Sequence, residues 1–461
     1  MHLVRRIVIN KYRYPELYAY LDKHSSLACN LYNASLFRIR QIFTGYAKEK
    51  RTPNETEIFM DVRRLESAYP SIKVKPFIGY HHLEKLMRVT QNPDFFGGLP
   101  MQSAQAIVKQ ACTDFSNWLK AIKDFKLHPD KYLGRPKMPD YKKTGSHITY
   151  TISNQDAVIN YGKQNAWLKL PLMKGYRFDI GNIPSDARLA ECKVKPYYGR
   201  YMLTLTFSIN HMIRKPDHPN IAGVDFGSHN IAAIVSTDGT SKLYKGGAVM
   251  AENQFFAKRR ADLVSQVTHG HKNYCPTTKR LNNLSVHHDC FLKDQCHKIS
   301  RDLIRYCVTH KVGTIVLGVN KAMKQNMDIG RMSNQMFYGM PLLQLREMII
   351  YKACLAGITV IEQEESYTSM ADCTNNDPIP VYGVNDDDAV FSGHRLSRGL
   401  YRCHDGSVIN ADLNGAANIL RKAYPNAFIN REDFSFMNHP EVSGFHELNP
   451  KRNPVKRIEA A

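Results

Sequence analysis

An α/β sheet joined to an all-helical region and a small all-β region is the architecture this sequence predicts, and three observations predict it. Between residues 221 and 424, short apolar runs alternate with helix-like stretches, the alternation of a sheet with helices laid on it. From about Pro15 to Phe125 apolar residues recur at helical spacing, as in Leu17, Tyr20, Leu21 and then Ala28, Leu31, Tyr32 and Leu36. From His147 to Ile209, short β-branched and aromatic runs are separated by Gly, Asn, Asp and Pro, the signature of a small barrel.

Taken in chain order, residues 4–10 alternate enough to form a strand, which would close that barrel and make the helical region an insertion into it. Pro53, Pro70, Pro76 and Pro93 divide the helical stretch into pieces. Barrel strands are expected at 147–152, 157–160, 167–170, 191–197 and 201–209. The run Ile221-Ala-Gly-Val-Asp225 is followed at once by a second, Ile231-Ala-Ala-Ile-Val235; Asp238-Gly239 then marks a hairpin, and Lys242-Leu-Tyr a third strand. A long basic helical stretch runs from Asn253 to His310 with a break near Tyr274-Cys-Pro276, its apolar face made by Ile299, Leu303 and Tyr306. Gly313-Thr-Ile-Val-Leu-Gly318 reads as a buried strand, residues 340–356 as a helix stopped by Gly357, and Ile358-Thr-Val-Ile361 as a strand ending in Glu362, Glu364 and Glu365.

Three acids stand out on this frame: Asp225 at the end of the first sheet strand, Glu365 in Glu-Glu-Ser-Tyr-Thr-Ser, and Asp412 in Ile409-Asn-Ala-Asp-Leu-Asn-Gly-Ala-Ala-Asn. Open α/β sheets place ligands at their strand ends. Carboxylates converging there suit a pair of divalent cations, which activate water and stabilise the leaving oxygen in phosphodiester hydrolysis. An Asp on the first strand of a meander is the arrangement of RNase H-like nucleases. Composition agrees: a formal charge of +21 over 461 residues implies a polyanionic partner, and 43% hydrophobic residues are ample for real cores.

The segments Gly-Val-Asp225-Phe-Gly, Val-Leu-Gly318-Val-Asn-Lys-Ala-Met-Lys324-Gln, Glu365-Ser-Tyr-Thr-Ser and Asn410-Ala-Asp-Leu-Asn-Gly-Ala-Ala-Asn resemble TnpB, the insertion-sequence-encoded RNA-guided DNA nucleases related to type V CRISPR effectors. Further segments extend the resemblance across nearly the whole chain: Asn30-Leu-Tyr-Asn-Ala-Ser-Leu-Phe-Arg, Leu99-Pro-Met-Gln-Ser-Ala-Gln and Gly134-Arg-Pro-Lys-Met-Pro-Asp-Tyr. The resemblance implies a RuvC nuclease domain of the RNase H-like class over 221–424, a helical recognition lobe over 15–130, and a wedge barrel from 1–14 and 131–220. It also implies a guide RNA and a double-stranded DNA target cut beside a short motif. Most of the family carries its second catalytic acid where this chain has Gly318; the similarity is to the branch in which a later Glu replaces it, which makes Glu365 the candidate and Glu364 its alternative. Asp225, Glu365 and Asp412 would then hold two Mg²⁺ or Mn²⁺ ions.

By the same resemblance Tyr32, Asn33, Gln102 and Gln105 are candidates for reading the adjacent motif. Arg135, Lys137 and Lys324 are candidates for the nucleic-acid backbone. Relatives often carry a four-cysteine zinc ribbon between the last two acids. Here residues 370–408, a degenerate zinc-ribbon insertion, offer only Cys373, Cys403, His394 and His404, with no Cys-x-x-Cys, so zinc is not expected, and within them 374–388 reads as a metal-free remnant or surface loop. The tail 425–461 has little periodicity and reads as partly disordered or RNA-associated. No stretch is apolar for long enough to span a bilayer, and the start has too short an apolar run for a signal peptide, so a soluble, cytoplasmic, nucleoid-associated protein is expected, with a monomer favoured over an oligomer. Two rivals to the nuclease are a nuclease-impaired RNA-guided repressor, for which Gly318 speaks, and an RNase H-like transposase, whose catalytic Glu should come last and on a helix.

Overall fold

The computed structural model describes residues 2–209, 217–268, 277–320, 339–383, 389–429 and 431–450. The chain divides into two compact units, Met1–His211 and Met212–Ala461.

In the first unit β1 (His2–Ile9) is followed by four helices, α1 (Pro15–Gly45), α2 (Pro53–Ala68), α3 (Tyr80–Val89) and α4 (Met101–Leu127). The prolines do what their chemistry requires: Pro53 opens α2, and Pro70, Pro76 and Pro93 fall between helices. Thr52 caps α2 through a capping box with Glu55. The predicted α1 stripe is the core, with Leu17, Leu21, Ala28, Leu31, Leu36, Ile39 and Ile42 fully buried in one cluster with Ile107, Val108 and Phe115 of α4. Six strands follow: β2 (Tyr150–Ser153), β3 (Val158–Tyr161), β4 (Ala166–Lys169), β5 (Phe178–Gly181), β6 (Arg188–Tyr197) and β7 (Arg200–Ser208). As expected, β1 pairs with the last of them along its whole length, from His2 opposite Ser208 to Ile9 opposite Tyr201, so the helices are inserted between strands of one sheet. The strands hydrogen-bond as two sheets, β1-β7-β6-β2 and β3-β4-β5, with no ladder between the sheets among the described residues. β5 was not foreseen: it has four residues, and only Phe178 and Ile180 are buried.

The second unit is built on a six-stranded mixed sheet. Its antiparallel meander is β8 (Asn220–Asp225), β9 (Asn230–Ser236) and β10 (Thr240–Lys245), and the Asp238-Gly239 turn forms as predicted, with Gly239 at φ 86° and Asp238 accepting from the Thr240 amide. Two helices follow, α5 (Gly247–Thr268) and α6 (Lys279–Thr309); the expected break at 274–276 lies outside the described residues. Then come β11 (Val312–Val319), α7 (Leu342–Leu355) and β12 (Thr359–Glu364), and β11 lies parallel between β8 and β12. The order is β12-β11-β8-β9-β10-β16, where β16 (Glu441–Ser443) adds a parallel edge strand.

Alternation along each strand assigns the two faces. Ala222, Val224, Ile234, Ile315 and Leu317 pack with Ile299 and Leu303 of α6 and Leu345 and Ile349 of α7. Ala233, Val235 and Val316 pack on the other face with Leu413, Ala416, Ala417 and Leu420 of α8 (Ala411–Ala423). Beyond the segment 374–388 read as a remnant or loop, a three-stranded sheet forms from β13 (His394–Ser397), β14 (Leu400–Arg402) and β15 (Val408–Asn410), with Tyr401 fully buried. The segment after Tyr424, expected to lack regular structure in part, supplies β16, the buried Met437 and α9 (Phe445–Leu448). Elements of three or four residues carry too few positions to show a period. No helix among the described residues is long and apolar enough to cross a membrane.

Candidate metal centre

Three parallel strands, β8, β11 and β12, end side by side, and the chain sets an acid or a glycine at each end. Asp225 is the last residue of β8, Gly318 lies one residue before the end of β11, and Glu365 follows directly on β12. Asp412 comes from the helix that covers this face of the sheet, on the first turn of α8, where the Asn410 side chain caps the helix by accepting from the Asp412 amide at 3.0 Å and the Leu413 amide at 3.2 Å.

Glycines make room for the carboxylates. A β-carbon at Gly415, one helical turn beyond Asp412, would stand 2.9 Å from Asp225 Oδ2, and one at Gly318 would stand 3.1 Å from Glu365 Oε2. The Glu365 carboxylate thus lies over the strand position that has no side chain.

Electrostatics join the three acids. Burial, and then the charges of Glu365 and Asp412, push the Asp225 carboxyl well above the usual carboxylate range, against the Phe226 amide and the Arg395 guanidinium. Glu365 is raised by burial and then by Glu364, with a hydrogen bond from Asn320 opposing. Glu364 behaves differently. Burial pushes it up, but Lys422 Nζ at 2.6 Å and the Ser366 amide and hydroxyl outweigh that and hold it below its ordinary value. The structure therefore sets Glu365 over Gly318, where its charge reaches Asp225, and gives Glu364 a cation of its own. Asp412 accepts from Asn230 Nδ2 at 2.7 Å through Oδ2 and faces Arg395 Nη2 at 3.7 Å through Oδ1.

This donor set fits a hard divalent cation: all three groups are carboxylates, and a cation would relieve the repulsion that disfavours the ionised Asp225. Among the described residues, no group of three or more His, Cys, Asp or Glu side chains is drawn closely enough together to hold a metal ion as it stands.

The family model OrfB_IS605, a probable transposase, matches residues 205–324, and the model for a Cas12f1-like TNB domain matches residues 343–419. TnpB-like protein ORF457 of Acidianus two-tailed virus is 30% identical over 217 residues, 46% of this chain and 43% of that protein. The chain is related to TnpB. The CRISPR-associated endodeoxyribonuclease Cas12f2 of a Micrarchaeota archaeon is 26% identical over 239 residues, 49% of this chain and 41% of that protein. Cas12f1 of Sulfoacidibacillus thermotolerans, also a CRISPR-associated endodeoxyribonuclease, is 27% identical over 239 residues, 49% of this chain and 50% of that protein. The matched regions span half or less of each relative. Among solved structures, a Cas12f1–sgRNA–target DNA complex aligns over 89% of this chain and 84% of its own with a TM-score of 0.45 and 13% identity. Alicyclobacillus acidoterrestris C2c1 with single-guide RNA aligns over 92% and 88% with a TM-score of 0.41 and 8% identity.

For this TnpB-related chain the remaining nucleic-acid candidates lie in the first unit, apart from Lys324, which is outside the described residues. Tyr32 is buried, its hydroxyl donating to Asp114 Oδ2 at 2.8 Å, and both polar groups of Asn33 bond the Lys142 backbone. Their polar groups serve the fold here. Gln105 donates to Glu84 at 3.2 Å, while Gln102, Arg135 and Lys137 are exposed. Two neighbours of the acids went unforeseen, Asn230 and Arg395. Arg395 carries no local signal; Asn230 closes the short turn after Asp225-Phe-Gly, and that proximity was its only trace.

Gly318 offers a direct test of the site geometry. A methyl group there would meet Ile419 Cδ1 at 2.5 Å and Glu365 Oε2 at 3.1 Å. Ile419 can rotate its flexible end away, but the carboxylate must shift by a few tenths of an ångström. Gly318→Ala is expected to fold and to cut DNA on the order of ten times more slowly under single-turnover conditions, since small displacements of reacting groups are costly. Full activity would show that Glu365 does not act from this position.

Proposed function

We propose that the chain is an RNA-guided, metal-dependent DNA endonuclease of the TnpB type, with the mixed sheet as an RNase H-like (RuvC) nuclease domain. The observation that carries this reading is the repulsion that Asp225, at the end of β8, feels from Glu365, just past the end of β12, and from Asp412, on the first turn of α8. Residues 15–130 would serve as the recognition lobe, and 1–14 with 131–220 as the wedge. Asp225, Glu365 and Asp412 would hold two Mg²⁺ or Mn²⁺ ions, which supply an activated water and stabilisation of the leaving oxygen. The chain's own part is orientation. Asp225 is fixed by its strand and by the space left at Gly415, Glu365 by the space left at Gly318, and Asp412 by the cap of α8 and the Asn230 amide. No residue of the set is a nucleophile, so water attacks and no covalent intermediate forms. Zinc has no part in this scheme, and the protein acts in the cytoplasm as a monomer.

The net charge of +21 supplies affinity for guide RNA and for DNA through phosphates, an affinity that falls steeply as salt rises. Selectivity comes from base pairing plus a short adjacent duplex motif. The test is cleavage of a randomised plasmid library by the protein copurified with its RNA, repeated after the guide segment is exchanged. Cut sites are expected to follow the new guide; cut sites that ignore the exchange would leave an unguided metal-dependent nuclease.

A further inference from the structure

Asn230 is the first residue of β9, 7% exposed, and it is half satisfied. Its amide nitrogen donates to Asp412 Oδ2 at 2.7 Å. The opposite orientation would set two acceptor oxygens against each other, so the amide can stand only this way round. Its carbonyl oxygen Oδ1 is then buried with no hydrogen-bond partner among the described residues. Buried polar groups are almost always paired, and one left over beside a cluster of acids points to a donor that the described residues do not supply. The Asp412 carboxylate is meanwhile gripped on one oxygen by Asn230, while the other faces the half-exposed Arg395 at 3.7 Å.

We infer that Asn230 is a positioning residue of the metal centre: its amide fixes the rotation of the Asp412 carboxylate, and its carbonyl accepts a hydrogen bond from a water carried by a divalent cation held there. The inference rests on the nuclease reading above. A cation-bound water is a strong donor, and a cation is the species that a buried carboxylate repelled by two others calls for. Asn230 does not touch the reacting atoms. Removing it should loosen Asp412 and leave the water one acceptor short, which weakens metal binding more than it harms the fold.

The test uses the full chain with its copurified RNA and Mn²⁺ as the probe, with free Mn²⁺ counted by electron paramagnetic resonance. Asn230→Ala is expected to weaken Mn²⁺ binding by roughly 10- to 100-fold. The Mn²⁺ concentration for half-maximal cleavage should rise by the same factor, and excess Mn²⁺ should restore most of the rate. Melting in EDTA should stay near that of the unmodified chain. Asp412→Ala is the control. If it weakens Mn²⁺ binding and Asn230→Ala does not, the role given to Asn230 is wrong while the metal centre stands; if neither does, the metal centre itself is wrong, and this inference with it. A Mn²⁺-bound structure of the unmodified chain covers the case in which Asn230→Ala fails to fold. A metal-bound water within hydrogen-bond distance of Oδ1 supports the inference, and an Oδ1 facing only apolar atoms overturns it.

Discussion

Glu365→Ala is expected to lower single-turnover DNA cleavage by roughly a thousandfold or more, while guide and target binding stay nearly intact. The size follows from removing a group whose interaction is strongest where charge develops in the transition state. Affinity survives because it comes from phosphate contacts elsewhere on the chain. The informative comparison is Glu364→Ala, one residue away. Glu364 is held by Lys422 and Ser366, and Lys422 also donates to the Ser366 and Pro380 carbonyls, so the lysine keeps partners when Glu364 is lost. Glu364→Ala should therefore lower the melting temperature modestly and keep most of the cleavage. Cleavage rate, gel-shift affinity and thermal melting on both variants decide it. If Glu364→Ala is dead and Glu365→Ala cuts, the register at the end of β12 is off by one; if both cut, the acids here do not serve catalysis.

What the sequence made legible was local. The meander, the Asp238-Gly239 turn, the stop at Gly357 and the acids at strand ends each announce themselves within a dozen residues, because backbone chemistry and periodicity act over that range. The choice between Glu364 and Glu365 lay beyond it, since strand alternation says only that the two differ. Lys422, 58 residues away, separates them by giving Glu364 a cation. Asn230 and Asp412 are likewise 182 residues apart and meet only because α8 lies across the meander. Tyr32 and Asn33 show the same long reach. The helical stripe marked their region, but which polar group faces outward is settled by Asp114 and by the Lys142 backbone, 82 and 109 residues away. The sheet at 394–410 is made of strands of three and four residues, too short to carry a pattern.

Gly223→Ala should be the most damaging small substitution in the sheet, costing about 3 kcal/mol or more. Gly223 sits in the middle of β8, and α8 lies so close across it that a β-carbon there would overlap the Ala416 carbonyl oxygen and stand 2.8 Å from Leu420 Cβ. The obstruction is largely helix backbone. A flexible side-chain end could turn aside at little cost, but here the whole helix must lift. Lifting α8 moves Asp412, on its first turn, away from Asp225, so cleavage should fall by much more than the fraction of unfolded chain accounts for. Gly247→Ala is the control, because a β-carbon at Gly247, the first residue of α5, meets nothing within 4 Å. That change should leave melting unchanged or slightly higher, as alanine narrows the unfolded ensemble. The measurements are melting temperature and single-turnover cleavage for both variants. A Gly223→Ala chain that melts and cuts like its Gly247→Ala counterpart would mean that α8 does not sit on β8 at this distance, and the convergence of Asp412 on Asp225 would lose its support.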